Sequence, residues 1–390
     1  MATSVFSAFS EFQKNCVNLA AADSQRAISS RDWLVGQIHA FPDRDADFPA
    51  VYTDKDIFFG SFARKTKKRP LDDIDIMICL HAQGGNYSES SNSIEINVND
   101  DATVLKNLCN DNTNILNSRK VINKFVSLLS NVPQYEKAEI NRNQEAATVK
   151  LTSYEWNFDI VPCFFTTEDY LGNTYYLIPD GNGDWKKTDP RKDRVRVQST
   201  NKRHNGNVLN AVRILKYWNR RATMPSMGSY LIENMILDYY DSVVASSASE
   251  YVDLEIPKLF MHIRDSVYGV VDDPKGIQGN INNLSLEEKS KIRDRASSDY
   301  YKVTAARQLE SDEDHRGSIN KWRDVFGEDF PKYGMITLQN KNKNLPQAAK
   351  SLPPPKELCR GKRKTRSCHS NSGFSVSAYY TGLSSRTRFE

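Results

Sequence analysis

At 390 residues with 39% hydrophobic and 10% aromatic side chains, the chain is long enough for two or three domains with real cores. A mean hydropathy of -0.62 and the lack of any long apolar run argue against a membrane span. The formal charge of +4 is uneven: residues 341–390 carry eleven Lys and Arg against Glu357 and Glu390, a net +9 that leaves -5 on the rest, so the body has no global surplus for binding nucleic acid.

The start, "MATSVFSAFSEFQKNCVNLA", lacks the basic opening, apolar block and cleavage site of a secretory signal, and a soluble, cytoplasmic protein is expected. Residues 1–41 read as helical, with Ser30 a candidate cap for "SRDWLVGQIHAF". "IFFG" is a short strand ending at Gly60, and "LDDIDIMICL" is an alternating strand. Residues 82–114, rich in Asn, Ser and Asp, read as an irregular insertion, followed by a helix over 115–130. Three strands come next, "YEKAEINR", "AATVKLTS" and "EWNFDIVPCFF", the first two joined by a turn at Asn143-Gln144. After a loop, "DGNGDWKKTDPRKD", five helices are expected: "NVLNAVRILKYWNRR", "SYLIENMILDYYDSVVA", "PKLFMHIRDSVYGVV", "LSLEEKSKIRDRASSDYYKVTAARQLE" and "HRGSINKWRDVFG". From about residue 341 the Pro runs, polar residues and positive charge have the composition of a disordered tail. Cys16, Cys79, Cys109, Cys163, Cys359 and Cys368 form no CxxC pair, which fits reduced thiols, and Cys359, Cys368 and His369 make only a weak metal signal.

The chemistry concentrates in residues 57–78. Side chains alternate along a strand, so Leu71, Asp73, Asp75 and Met77 share one face and Ile74, Ile76 and Ile78 the other, with Asp72 left on the Ile side. Carboxylates at i and i+2 stand roughly 7 Å apart at their Cα atoms and can converge on one or two Mg²⁺ ions, which favour carboxylate oxygen together with substrate phosphate. Asp159 lies on a later strand, on the face opposite Phe158 and Ile160, and can complete a triad. Gly60-Ser61 supplies a tight turn whose N–H groups and hydroxyl can hold triphosphate oxygens. A strand-borne D-x-D alone is common on solvated strands; the GS turn, Asp159 and the helical second half are what favour a catalytic reading.

With these residues in place, the sequence resembles the DNA polymerase β superfamily of nucleotidyltransferases, specifically the cGAS/DncV-like nucleotidyltransferases (CD-NTases) of bacterial CBASS anti-phage systems. The resemblance covers roughly residues 20–335 and rests on "GSFARKTKKRPLDDIDI", "WNFDIVPCF", "WKKTDPRKD", "RILKYWN", "GSYLIE", "DDPKG" and "WRDVFGEDFP" in that order. It implies an α+β fold: a polymerase β-like core with a mixed sheet over residues 1–200, a helical lobe over 201–340 and the tail over 341–390, with the active-site cleft between core and lobe. Mg²⁺, as two ions with Mn²⁺ as an alternative, would be bound by the catalytic residues Asp73, Asp75 and Asp159. Gly60, Ser61 and Arg64 would meet the donor triphosphate, Lys216 and Ser229 would hold phosphates, Tyr230 would stack on a base, and Asp273 would meet a base or ribose.

Each assignment has a plainer counterpart: Lys216 as an exposed helix lysine, Tyr230 as a core aromatic, Asp273 before Pro274 as a turn residue. Lys65 stands where the family often has glycine. The implied function is synthesis of a cyclic oligonucleotide, with a purine cyclic dinucleotide such as a cyclic GMP-AMP as the commonest family outcome, from ATP and GTP, acting on a separate effector. The same triad would serve a template-independent polymerase or an enzyme modifying RNA, protein or a small molecule, and a non-catalytic nucleotide binder is a third reading. Some family members are conjugated through the C-terminus by ubiquitin-like machinery, and "SSRTRFE" is a candidate for that although Glu390 is not the usual small residue. The acidic body and the lack of a Cys/His cluster there argue against direct activation by nucleic acid.

Overall fold

The computed structural model describes residues 2–334 apart from 91–92, 223, 226 and 243–246, all within one compact unit. The tail readings, including Cys359, Cys368, His369 and the candidate conjugation end, lie outside the described residues.

Helix α1 (Val5–Phe12) is capped by Ser4, whose hydroxyl accepts the Ser7 N–H at 3.2 Å. It runs into a π-helical stretch (Gln13–Val17), then α2 (Ala21–His39) and the short α3 (Phe41–Arg44). The first strands follow, β1 (Ile57–Phe58), the one-turn helix α4 (Gly60–Ala63) and β2 (Asp73–Leu80). Next come β3 (Asn86–Glu89), β4 (Ile94–Asn97), α5 (Thr103–Lys106) and α6 (Ser118–Ser130). The rest of the sheet is β5 (Glu139–Asn143), β6 (Ala146–Lys150), β7 (Asn157–Phe165), β8 (Tyr176–Pro179) and β9 (Trp185–Thr188). Helices then take over: α7 (Pro190–Arg203), α8 (Val208–Asn219), α9 (Ser229–Ser242), α10 (Val252–Ser266), α11 (Leu286–Ser311) and α12 (His315–Phe326).

The strands form one mixed sheet in the order β1-β2-β7-β8-β9-β4-β3, with β6 also on β7 and β5 on β6. Its centre is the parallel pair β2–β7, in register from Asp73↔Asn157 to Leu80↔Phe164; the other ladders are antiparallel. Ile74, Ile76, Ile78, Phe158 and Ile160 enter a core with Leu34, Ile38, Ile122 and Phe125 of α2 and α6. A second core unites α8–α12 with α1, bringing Phe9 and Phe12 against Trp322, Phe326 and Phe330. Residues 2–17 therefore pack with the helical half, and the two cores are not separated by a single cut along the chain.

Several sequence expectations change. Ser30 lies in mid-α2, where its hydroxyl donates to Ala27 O rather than capping. Leu71 packs with Ile74, because β2 and its alternation begin only at Asp73. The expected insertion at 82–114 contains the β3–β4 hairpin and α5; the alternation of Ile94, Ile96 and Val98, all buried, was its signal amid polar neighbours. The expected loop is a β8–β9 hairpin, in which Asp180 Oδ1 accepts the N–H groups of Asn182, Gly183 and Asp184, followed by α7 with Pro190 in its first turn. Helix α7 has almost no apolar stripe, so periodicity could not reveal it. Helix α10 starts before Pro257 rather than at it. The turn at Asn143-Gln144 is present, with Gln144 at φ +49°.

Candidate active site

Strand β1 pairs antiparallel with β2, Phe58 opposite Ile76, and delivers the chain to Gly60 beside Asp75. Gly60 has φ +69°, a left-handed conformation that glycine adopts without penalty, and a Cβ there would overlap the Asp75 carboxylate. The loop closes where Ser61 O accepts the N–H groups of Thr66 (2.9 Å) and Lys67 (3.1 Å). Lys65, in the family's glycine position, also holds a left-handed φ of +61°, a conformation that costs a side-chain-bearing residue about 1 kcal/mol.

Parallel pairing aligns Asp75 with Asp159 on one face of the sheet. Carboxylate oxygens of Asp73, Asp75 and Asp159 all lie within 4.8 Å of one another. The Thr148 hydroxyl, from β6, donates to Asp159 Oδ1 at 2.8 Å and orients it. Burial, then Asp73 and Asp159, push the Asp75 carboxyl up to about 7. Burial and the adjacent Asp72 also raise Asp73, against the pull of Lys67. The Lys67 ammonium bonds both Asp72 and Asp73, and Arg220 reaches Asp72 at 3.3 Å. A converging set of carboxylate oxygens with too little positive charge around it fits a hard divalent cation.

Ser61, Arg64, Lys216, Ser229 and Tyr230 line one cleft with Asp73 and Asp75. The cleft encloses about 160 Å³. Lys216 is 3% exposed and so is no surface lysine; its ammonium bonds Glu233, itself 1% exposed, and lies 3.3 Å from the Thr66 hydroxyl. Arg64 Nε donates to Glu233 Oε1 at 2.7 Å and the Thr66 hydroxyl to Oε2 at 2.7 Å. Burial works against an ionised Glu233, but Lys216 and Arg64 hold its carboxyl well below the usual carboxylate range. This knot ties the loop after α4 to α8 and α9, and so joins the two walls of the cleft. Glu233→Gln is expected to leave two buried cations undercompensated and to cost about 3 kcal/mol, read by chemical denaturation; an unchanged midpoint would contradict the knot.

The Tyr230 hydroxyl donates to Asp193 Oδ1 at 2.6 Å and accepts from Lys275 Nζ at 2.7 Å, so its ring is held edge-fixed in the cleft wall. Asp273 is not among the residues lining the cleft: its carboxylate pairs with Lys275 and accepts the N–H groups of Ile277 and Gln278, which organises a turn. Thr66, Lys67, Lys68, Arg220 and Glu233 complete the site and were not singled out from the sequence. Burial, followed by Arg220, lowers the Lys68 ammonium to about 8. The signal for Lys67 and Lys68 was the basic run between GS and DDID, and that for Glu233 its place at the end of "GSYLIE"; Arg220, which caps the C-terminus of α8, carried none.

The chain is 44% identical over 328 residues to a probable cyclic nucleotide synthase of Bacillus cereus (strain VD146), a match covering 84% of this chain and 98% of that one. The chain is a CD-NTase. It belongs with the cGAS/DncV-like enzymes, nucleotidyltransferases that make cyclic nucleotides. A cyclic AMP-AMP-AMP synthase of Acinetobacter sp. is 25% identical over 233 residues, 55% of this chain and 60% of the other. Among solved structures, E. coli MS115-1 CdnC with ATP superposes with a TM-score of 0.60 at 15% identity, covering 84% and 98% of the two chains. Vibrio cholerae DncV cyclic AMP-GMP synthase with the linear intermediate 5' pppA(3',5')pG gives 0.52 at 13% identity, over 72% and 70%. These likenesses establish the polymerase β-like fold of this CD-NTase. No protein-family profile matches the chain.

Proposed function

We propose that this CD-NTase joins nucleoside triphosphates into a cyclic oligonucleotide with release of pyrophosphate, using Mg²⁺ held by Asp73, Asp75 and Asp159. The observation that carries this reading is the convergence of those three carboxylates within 4.8 Å beside a cleft lined by Lys67, Lys68 and Arg220. Two bound Mg²⁺ ions, with Mn²⁺ as an alternative, would neutralise phosphate charge and lower the pKa of the attacking hydroxyl. Ser61 and Ser229 bind triphosphate oxygens, and Lys68 and Arg220 balance their charge; Lys216 and Arg64 act through Glu233, keeping that wall in place. Asp159, oriented by Thr148, takes the proton of a 2' or 3' hydroxyl as it attacks the α-phosphate in line. The linear product then turns over in the cleft and is closed by the same residues. Tyr230 offers its ring to a base.

The substrates are ATP and GTP, and the product is a purine cyclic dinucleotide of the cyclic AMP-GMP class that activates a separate effector in anti-phage defence. The ATP bound to CdnC and the adenine-containing linear intermediate bound to DncV support adenine in the product. No helix among the described residues is long and apolar enough to cross a membrane, which is compatible with a cytoplasmic enzyme. Purified protein with Mg²⁺ and the four NTPs, singly and in pairs, is expected to release pyrophosphate and yield a phosphatase-resistant product. Asp73→Ala/Asp75→Ala is expected to release none. A phosphatase-sensitive oligomer would point to a polymerase, and equal release by the double variant would overturn the site. Conjugation at Glu390 predicts a modified C-terminus by mass spectrometry when the neighbouring genes are co-expressed.

A further inference from the structure

The segment that builds one wall of the catalytic cleft also faces a second cavity. Ser61, Arg64, Thr66 and Lys68 line the cleft, whereas Phe62, Ala63 and Lys65 line a separate cavity of about 500 Å³ against α2 and α8; Lys67 lines both. Arg31, Lys65, Lys67 and Arg213 bring four cations to this cavity, and no carboxylate among the described residues lines it. Arg31 is paired with Asp32 and stacks on Phe58 at 3.5 Å, and Lys67 is engaged by Asp72 and Asp73.

Arg213 differs. Its guanidinium is half-buried on α8 and bonds only neutral groups, Lys65 O at 3.0 Å and Asn210 Oδ1 at 2.6 Å. Its Nε is buried with no hydrogen-bond partner. Burial depresses its pKa, and no acidic group among the described residues offsets the cost. Buried charges are ordinarily paired, and a guanidinium without a carboxylate beside an ammonium is the arrangement that phosphate oxygens satisfy. Leu19, Ile28 and Phe62 add an apolar wall.

We propose that this cavity binds a small organic phosphate through Arg213 and Lys65, and that the bound phosphate competes with Asp73 for Lys67. The site is distinct from the nucleotide cleft, and the proposal does not depend on which reaction the cleft performs. Reciprocity follows from linkage: whatever draws Lys67 off Asp73 strengthens phosphate binding behind α4, and phosphate there frees Asp73.

The test is calorimetric titration of the full-length protein with inorganic pyrophosphate in EDTA, with no turnover measured, so failure here is separate from failure of the proposed synthesis. Arg213→Gln and Lys65→Gln are each expected to weaken binding about tenfold or more, while Lys68→Gln/Arg220→Gln, in the cleft, retains the site. Lys65 is exposed, so its variant keeps the test valid if Arg213→Gln does not fold. Asp73→Asn, which releases one partner of Lys67, is expected to tighten binding severalfold. Loss of binding in the cleft variant with full retention in Lys65→Gln would place the anion in the cleft and overturn the proposal. An unchanged affinity in Asp73→Asn would overturn the competition for Lys67.

Discussion

Asp75→Asn is expected to make the metal-free protein more stable and the enzyme inactive. Asp75 titrates at about 7 instead of the usual 3.8, because burial, Asp73 and Asp159 all oppose its charge. The sign follows from proton binding. Between about pH 4 and pH 7 the folded chain holds a proton that the unfolded chain has lost, so stability falls as pH rises through that window and levels off above it. The full shift corresponds to about 4 kcal/mol, and solvent reaching the cleft reduces the penalty to about 1–3 kcal/mol. Asparagine carries no charge and removes that decline, so denaturation midpoints of variant and parent should coincide near pH 4 and separate above pH 7, with the variant higher. Nucleotidyl transfer should drop by about 10³-fold, since the proposed metal site would lose one of its three carboxylates. A variant no more stable than the parent at pH 8 in EDTA would contradict the strained charge on Asp75, and one with parental turnover would remove Asp75 from the active site.

Gly60→Ala is expected to inactivate the enzyme without removing a reacting group. The new methyl would occupy the space of the Asp75 carboxylate, and the backbone would still have to hold φ +69°. Either Asp75 swings out of the triad or α4 lifts with Ser61, and displacement of about 1 Å is enough to cost on the order of 10²-fold in rate. The strain adds about 1–2 kcal/mol of destabilisation. Pyrophosphate release should therefore collapse while circular dichroism still reports a folded protein at 25 °C. Turnover within twofold of the parent would show that the GS turn and Asp75 do not press on each other.

The opening of the site was legible because its logic is local. Period-two alternation alone separates Asp73 and Asp75 from Ile74, Ile76 and Ile78, and the strand buries the isoleucines as that pattern requires. Helices α8 and α12 announced themselves through apolar periodicity, whereas α7 and the β8–β9 hairpin did not, being short or nearly all polar. The strand pattern offered Asp159 as a third carboxylate, and the resemblance to a known family implied the same triad.

What the sequence by itself determined is thus the chemistry within single elements: two carboxylates on one strand face, a glycine turn just before them, and amphipathic helices behind. The tertiary structure decided how distant elements meet. The in-register parallel pairing of β2 with β7 sets Asp159 beside Asp75, and no local pattern specifies that register. The packing of α8 and α9 turns Lys216 from a helix lysine into a buried partner of Glu233 and Arg64. That same packing leaves Arg213, one turn earlier on α8, facing a cavity without a counter-charge. Whether a cation neutralises a neighbour or waits for a ligand depends on what surrounds it in space, because burial and proximity, not sequence spacing, set the cost of leaving a charge unpaired.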